Sequence, residues 1–270
     1  MTRAGVLGWP VRHSRSPAMH EAAYTAVGLE GWRYQLLPVP PELLAETVRA
    51  LPGAGFAGAN VTIPHKRAAL ALADTAREAA RAIGAANTLT FADGAIQADN
   101  TDAPGLLAAL TAAGAELAGA RAVVLGAGGS ARAAVWALRA AGAAEVLVWN
   151  RTPQRARALA QDLGARAVEA AEVTKLAGRV LVNCTPVGLD PDDDPFTALP
   201  LAEADLGAYA WVADLAYEAG ETRLAAAARA AGCAVVDGLE VLVRQGALSF
   251  ERWTSRQAPL EAMRDAVRDV

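Results

Sequence analysis

Hydrophobic and polar positions along the chain fall into short apolar runs separated by longer stretches of helical period. That alternation predicts an α/β protein with parallel sheets. In the first hundred residues the apolar runs predict strands at 3–8, 32–38, 56–63, 87–92 and 95–100. Asp93-Gly94, between the last two, is a hairpin turn signal. Helical periodicity covers 17–28, 40–51, 64–72, 75–83 and 103–114. From Gly119 to Asp237 the strand–helix unit repeats more regularly, with strands near 121–125, 145–150, 180–184, 211–215 and 233–236. Two amphipathic stretches follow, 239–252 and 258–269, with no further strand. Terminal helices of this kind return to pack on a first domain. The expected division is therefore an N-terminal α/β domain, 1–103 plus 239–270, and a Rossmann-type domain, 104–238.

Composition narrows the class. With 53% hydrophobic and 20% charged residues and a net charge of −4, the chain reads as an ordinary globular protein without a basic block, which argues against a nucleic-acid partner. Charges interrupt the alanine-rich stretches before they reach membrane-spanning length. The apolar run Ala4–Gly8 is too short for a secretory core, and Cys184 and Cys233 are too few for a disulfide framework. A cytoplasmic enzyme acting on a small molecule, as monomer or homodimer, is the expectation.

The segment from Ala120 to Ala133 carries the most mechanistic motif. A predicted strand runs directly into Gly126-Ala127-Gly128-Gly129-Ser130-Ala131, and an alanine-rich helix follows. In such a turn the first glycine permits the bend, the second lets backbone approach a pyrophosphate, and the small third residue allows close helix–strand packing. The next strand ends in Trp149-Asn150-Arg151-Thr152-Pro153-Gln154-Arg155. No carboxylate stands there to take ribose hydroxyls or repel a 2′-phosphate. Arg151 and Arg155 can pair with that phosphate, and Asn150 and Thr152 can donate to it, which favours NADP(H) over NAD(H). Thr152 capping a helix that starts at Pro153 is compatible with the same reading.

Candidate substrate chemistry lies nearer the N-terminus. Of 25 basic residues only Lys66 and Lys175 are lysines, and lysine, unlike arginine, can exchange its proton in a protein. Lys175 reads as an ordinary solvated charge, whereas Lys66 closes Gly58-Ala-Asn60-Val-Thr62-Ile-Pro-His-Lys66 at a polar strand end. Asn60 and Thr62 share a face there, either as a site or as the solvated residues of an edge strand. Ser16-Pro17 reads as an N-cap and first helical residue, and the Ser14 and Ser16 hydroxyls also suit a carboxylate. Asp102 is open to two readings, helix cap or site residue. His13, His20 and His65 have no convincing metal-ligand arrangement.

Together the stretches Gly8–His20, Gly58–Lys66, Ile83–Thr88, Asp99–Gly105, Gly126–Arg132, Asn150–Thr152, Asn183–Gly188 and Asp237–Ala247 resemble the shikimate dehydrogenase family, in family order across nearly the whole chain. The resemblance implies reversible NADPH-dependent reduction of 3-dehydroshikimate to shikimate, in aromatic amino acid biosynthesis. It implies that Ser14 and Ser16 hold the substrate carboxylate, with Thr62 also in contact. Lys66, Asn87 and Asp102 would surround the ring hydroxyls, Lys66 serving as acid and base, and Tyr217 and Gln245 would complete the pocket. Thr185, Leu215 and Gly238 would lie along the cofactor. Glu21, Ala219 and Val241 depart from the family pattern, where asparagine, proline and methionine are common. A paralogue acting on quinate or an aminated shikimate would show the same residues. Retention of both Lys66 and Asp102 speaks against a catalytically silent NADP-binding regulator.

Overall fold

The computed structural model describes residues 1–173, 178–217 and 220–268, so Lys175 and Ala219 lie outside the described residues. It comprises two compact units, Met1–Gly105 with Leu242–Val270, and Leu106–Val241.

The first unit is built on a six-stranded sheet. Its strands are β1 (Thr2–Gly8), β2 (Trp32–Pro38), β3 (Phe56–Val61), β4 (Thr75–Ala76), β5 (Thr88–Ala92) and β6 (Ala95–Asp99), in the order β2-β1-β3-β5-β6-β4. The helices are α1 (Ser16–Ala26), α2 (Leu44–Ala50), α3 (Lys66–Leu72) and α4 (Glu78–Ile83), and α5 (Asp102–Ala112) leads into the second unit. The sheet is mixed rather than parallel: β3 pairs antiparallel with β5, and β5 with β6. The Asp93-Gly94 turn sets the β5–β6 pair, because both residues adopt positive φ, 53° and 75°, in a tight hairpin.

Two predicted helices are corrected. The stretch 75–83 is split, because Thr75 and Ala76 pair with the open edge of β6 and the Arg77 N–H donates to Ala98 O at 2.9 Å before α4 begins. The stretch 40–51 opens with a turn of 3-10 helix at Pro41–Leu43. Strand β3 is central, between β1 and β5, so the edge-strand reading of Asn60 and Thr62 fails.

The second unit is a doubly wound sheet. Strands β7 (Arg121–Leu125), β8 (Glu145–Trp149), β9 (Arg166–Ala167), β10 (Val180–Asn183), β11 (Trp211–Asp214) and β12 (Ala234–Val236) run parallel in the order β12-β11-β10-β7-β8-β9. Helices α6 (Gly129–Ala140), α7 (Pro153–Leu163), α8 (Ala170–Val173), α9 (Pro195–Ala198) and α10 (Arg223–Ala230) connect them. Val124, Val146, Val148 and Val182 pack into one core while Val123, Leu125, Leu147 and Leu181 pack into another. Burial on both faces explains why these strands read as unbroken apolar runs. The strand order reverses between β7 and β10, and ligands of such sheets bind outside the carboxyl ends at that point.

Helix α11 (Gly238–Thr254) starts in the second unit and belongs to the first from Leu242 onward; α12 (Leu260–Arg268) packs on α1. Among the described residues no helix is long and apolar enough to cross a membrane.

Candidate active site

At the switch point, Gly126 ends β7 with φ of 112°, and a Cβ there would sit 3.2 Å from the Cys184 carbonyl that follows β10. Only glycine combines that dihedral with that approach. Gly128 holds the N-cap position of α6, and a Cβ on it would meet no protein atom within 4 Å. No side chain makes a capping bond at Gly128, and a helix start of this kind favours an anion. Gly129 and Ser130 open the helix, Ala127 packs against the core, and Ala131 is fully buried in it. At the end of β8, Asn150 donates from Nδ2 to Thr152 O at 3.0 Å, shaping the turn into α7. Thr152 takes the N-cap position ahead of Pro153, yet its hydroxyl makes no capping bond. Arg151 and Arg155 are exposed beside this helix start. A dinucleotide phosphate on the glycine turn and a further phosphate beside Arg151 and Arg155 both suit these residues.

The neighbouring loops are held by a network outside the sequence prediction. Asn183 Nδ2 donates to Asp214 Oδ1 at 2.8 Å, and Thr222 Oγ1 donates to Asp214 Oδ2 at 2.7 Å. Asn183 Oδ1 accepts from the Thr185 backbone N–H and hydroxyl at 3.0 and 2.7 Å, which orients Thr185. Asp214 also accepts from Ala216 N–H at 3.2 Å, shaping the loop that carries Leu215 and the half-buried Tyr217. Gly238 backs onto that loop: a Cβ there would lie 2.5 Å from Ala216 O and 2.8 Å from Leu215 O. Val241 is buried in the second unit's core.

In the first unit, Lys66 begins α3 and is 9% exposed. Its Nζ donates to Asp102 Oδ2 at 2.7 Å. Asp102 Oδ1 accepts from Asn87 Nδ2 at 2.8 Å, so both carboxylate oxygens are engaged in the pair. Asp102 therefore does not cap α5; Asn100 Oδ1 accepts from the Ala103 N–H instead, at 3.2 Å. Asn87 Nδ2 also lies 3.1 Å from Gln245 Oε1, and Gln245 Nε2 donates to Leu242 O at 2.8 Å. Thr62 follows β3 and is partly exposed.

Ser16 is the first residue of α1 rather than its N-cap, which falls to Arg15 without a side-chain capping bond. The Ser16 N–H donates to Ser14 Oγ at 3.3 Å, and the Ser14 hydroxyl donates to Ser16 Oγ at 3.1 Å. That local turn competes with capping and places the two hydroxyl oxygens side by side. Asn60, expected at the substrate, is 5% exposed and committed to the interior: its Oδ1 accepts from Tyr34 OH at 2.8 Å and its Nδ2 donates to Ser249 Oγ at 2.8 Å. Glu21, the departure beside His20, accepts from the Tyr34 N–H at 2.5 Å. His65 is buried with Nε2 2.7 Å from Val39 O, and among the described residues no cluster of His, Cys, Asp or Glu could hold a metal.

The doubly wound sheet with its glycine turn, and the buried lysine–carboxylate pair, define a dinucleotide-dependent α/β oxidoreductase. The family description "Shikimate dehydrogenase substrate binding domain" matches residues 6–89, "Shikimate / quinate 5-dehydrogenase" matches 108–183, and "Shikimate 5'-dehydrogenase C-terminal domain" matches 238–268. The shikimate dehydrogenase (NADP(+)) of Thermus thermophilus is 46% identical over 99% of this chain and 98% of its own. A solved structure of shikimate 5-dehydrogenase from that species, in complex with NADP(H) and shikimate, superposes with a TM-score of 0.88 at 44% identity, covering 100% of this chain and 99% of the other. A 5-ketofructose reductase from Gluconobacter also superposes, with a TM-score of 0.84 at 31% identity over 99% and 98% of the two chains. The chain belongs to the shikimate dehydrogenase family.

Proposed function

We propose that this protein catalyses the reversible NADP-dependent interconversion of shikimate and 3-dehydroshikimate, with Lys66 as the proton carrier. The observation that carries this reading is the Lys66–Asp102–Asn87 constellation: an ammonium 2.7 Å from a carboxylate whose second oxygen is held by an amide. Family membership and the paired Ser14 and Ser16 hydroxyls support an acidic substrate. The 5-ketofructose reductase neighbour makes the carboxylate contact the point to test, because the fold alone admits other hydroxy compounds.

Ser14 and Ser16 orient the ring by its carboxylate, with Thr62 beside them. Asp102, Asn87 and Gln245 accept from and donate to the ring hydroxyls, and Lys66 Nζ faces the reacting oxygen. When the alcohol is oxidised, the neutral amine form of Lys66 takes its proton and becomes the ammonium; when the ketone is reduced, the ammonium returns that proton and stabilises the charge that develops on oxygen. Gly126 to Ala131 would hold the cofactor pyrophosphate, and Asn150, Arg151, Thr152 and Arg155 its 2′-phosphate. Thr185, Leu215 and Gly238 belong to the nicotinamide side of the second unit, and Tyr217 is a substrate contact. Bound NADP(H) supplies the hydride acceptor and donor. A cytoplasmic setting agrees with a chain whose two cysteines are too few for a disulfide framework.

The test is NADP reduction by the purified protein offered shikimate, quinate and a neutral polyol at equal concentrations. Shikimate turning over fastest is the expected result. Quinate leading would move the reading to the paralogue, and a polyol leading would remove the carboxylate clamp.

A further inference from the structure

Directly behind Asn87 lie three buried hydroxyls from three different elements: Thr88 on β5, Thr101 before α5 and Ser249 on α11. All are at most 1% exposed. They form a triangle with Thr88–Ser249 at 2.9 Å, Thr88–Thr101 at 3.1 Å and Thr101–Ser249 at 3.3 Å. Asn60 joins the triangle from β3, donating to Ser249 Oγ at 2.8 Å and lying 3.2 Å from Thr88 Oγ1. A core built only for stability would fill this space with apolar groups, since a buried polar cluster gains little net free energy and costs heavily wherever one partner is missing.

The directions of the bonds show what the cluster does. The Thr101 backbone N–H donates to Asn87 Oδ1 at 2.7 Å, which fixes that end of the amide as the acceptor. The other end, Nδ2, is thereby turned to Asp102 Oδ1. The Thr88 hydroxyl lies 3.2 Å from Asn87 Oδ1, and the Thr101 hydroxyl oxygen accepts from Asn87 Nδ2 at 2.9 Å. Asn60 is oriented in the same way: its Nδ2 donates to the Asn87 backbone carbonyl at 3.2 Å while its Oδ1 accepts from Tyr34. A flipped Asn87 amide would set oxygen against carboxylate and N–H against N–H.

We propose that Thr88 and Ser249 are positioning residues for the reaction: through the hydroxyl triangle they lock the Asn87 amide, which holds Asp102, which in turn holds Lys66. This rests on the function proposed above. Neither residue touches substrate; each acts through Asn87.

Three variants test it in the NADP reduction assay. Thr88→Val removes the hydroxyl at constant shape, Thr88→Ser keeps it, and Ser249→Ala opens the triangle from α11. A loosened constellation costs turnover more than binding. We expect kcat to fall by about 10- to 100-fold in Thr88→Val and Ser249→Ala, with KM for shikimate changed by less than about threefold. Thr88→Ser should recover kcat to within about threefold of the parent. Should Thr88→Val not fold, Ser249→Ala with Thr88→Ser decides. Unchanged kcat in both hydroxyl-removing variants, or equal losses in Thr88→Val and Thr88→Ser, overturns the inference. A parent protein inactive on shikimate would instead defeat the function proposal itself.

Discussion

His20 offers a quantitative test of the interior that supports the site. Its imidazole is 0% exposed, stacks on Tyr34 with ring centroids 4.3 Å apart and planes within 2°, and has no hydrogen-bond partner at either nitrogen. Trp253 and Tyr24 close the remaining sides at 5.6 and 6.1 Å. Burial lowers its pKa from 6.5 to about 3; the Asn60 amide opposes this, in a geometry too poor for a hydrogen bond. The folded protein therefore keeps His20 neutral down to about pH 3, while the unfolded chain takes up a proton below pH 6.5. The unfolded state binds more protons between those values, so stability is fully present above the upper one and declines as pH falls through the window. The limiting slope is about 1.4 kcal/mol per pH unit, and between about pH 7.5 and 4.5 it accumulates to about 2–3 kcal/mol. His20→Phe keeps a ring on Tyr34 and removes the titration. Urea unfolding of parent and variant, followed by circular dichroism and tryptophan fluorescence at steps across that range, isolates the term, because carboxylate titrations common to both cancel. The variant should gain about 2–3 kcal/mol relative to the parent on acidification. A difference in stability that stays flat with pH would refute the account of a neutral, unpartnered imidazole.

Other outcomes follow from the site. Lys66→Ala should lower kcat by orders of magnitude with a much smaller change in KM for shikimate, measured by steady-state NADP reduction; comparable losses in both would contradict a proton-carrying role. Arg151→Ala should raise KM for NADPH far more than KM for NADH, and equal effects on the two would remove Arg151 from phosphate recognition. Gly238→Ala sets a methyl group against the Leu215 and Ala216 carbonyls, so it should cost about 1–3 kcal/mol in thermal or denaturant unfolding and weaken NADP binding by calorimetry. An unchanged midpoint and affinity would show that the loop can move away.

What was legible in the sequence and what was not divides along a physical line. Local chemistry was readable. The turn after β7, the Asp93-Gly94 hairpin and the start of α7 at Pro153 are each specified within a few residues, where dihedral preference acts. Lys66 and Asp102 could be singled out from residue type and the family pattern. Their 2.7 Å contact, and the loss of Asp102 as a cap, needed the fold. The short β4 was missed because two residues carry no period, and only the open edge of β6 recruits them. Ser16 misled because a serine before proline caps helices in general, while here the Ser14 oxygen takes its N–H.

Asn60 shows the deeper limit and also what it protects. Its polar character was read as a sign of substrate contact, whereas its amide is hydrogen-bonded within the interior. The partner that fixes it, Ser249, is 189 residues away. Ser249 in turn is one small residue within the 239–252 stretch. No pattern along one dimension connects the two; both become informative only when β3 and α11 meet. A signal does exist: a serine one helical turn after Gln245 shares its face, and a polar residue there has to find a partner once buried. The residues that touch substrate can be recognised because chemistry restricts their type. The residues that hold them can be recognised only by following each buried donor to its acceptor, and in this protein that path leads from Lys66 through Asp102 and Asn87 to Thr88 and Ser249.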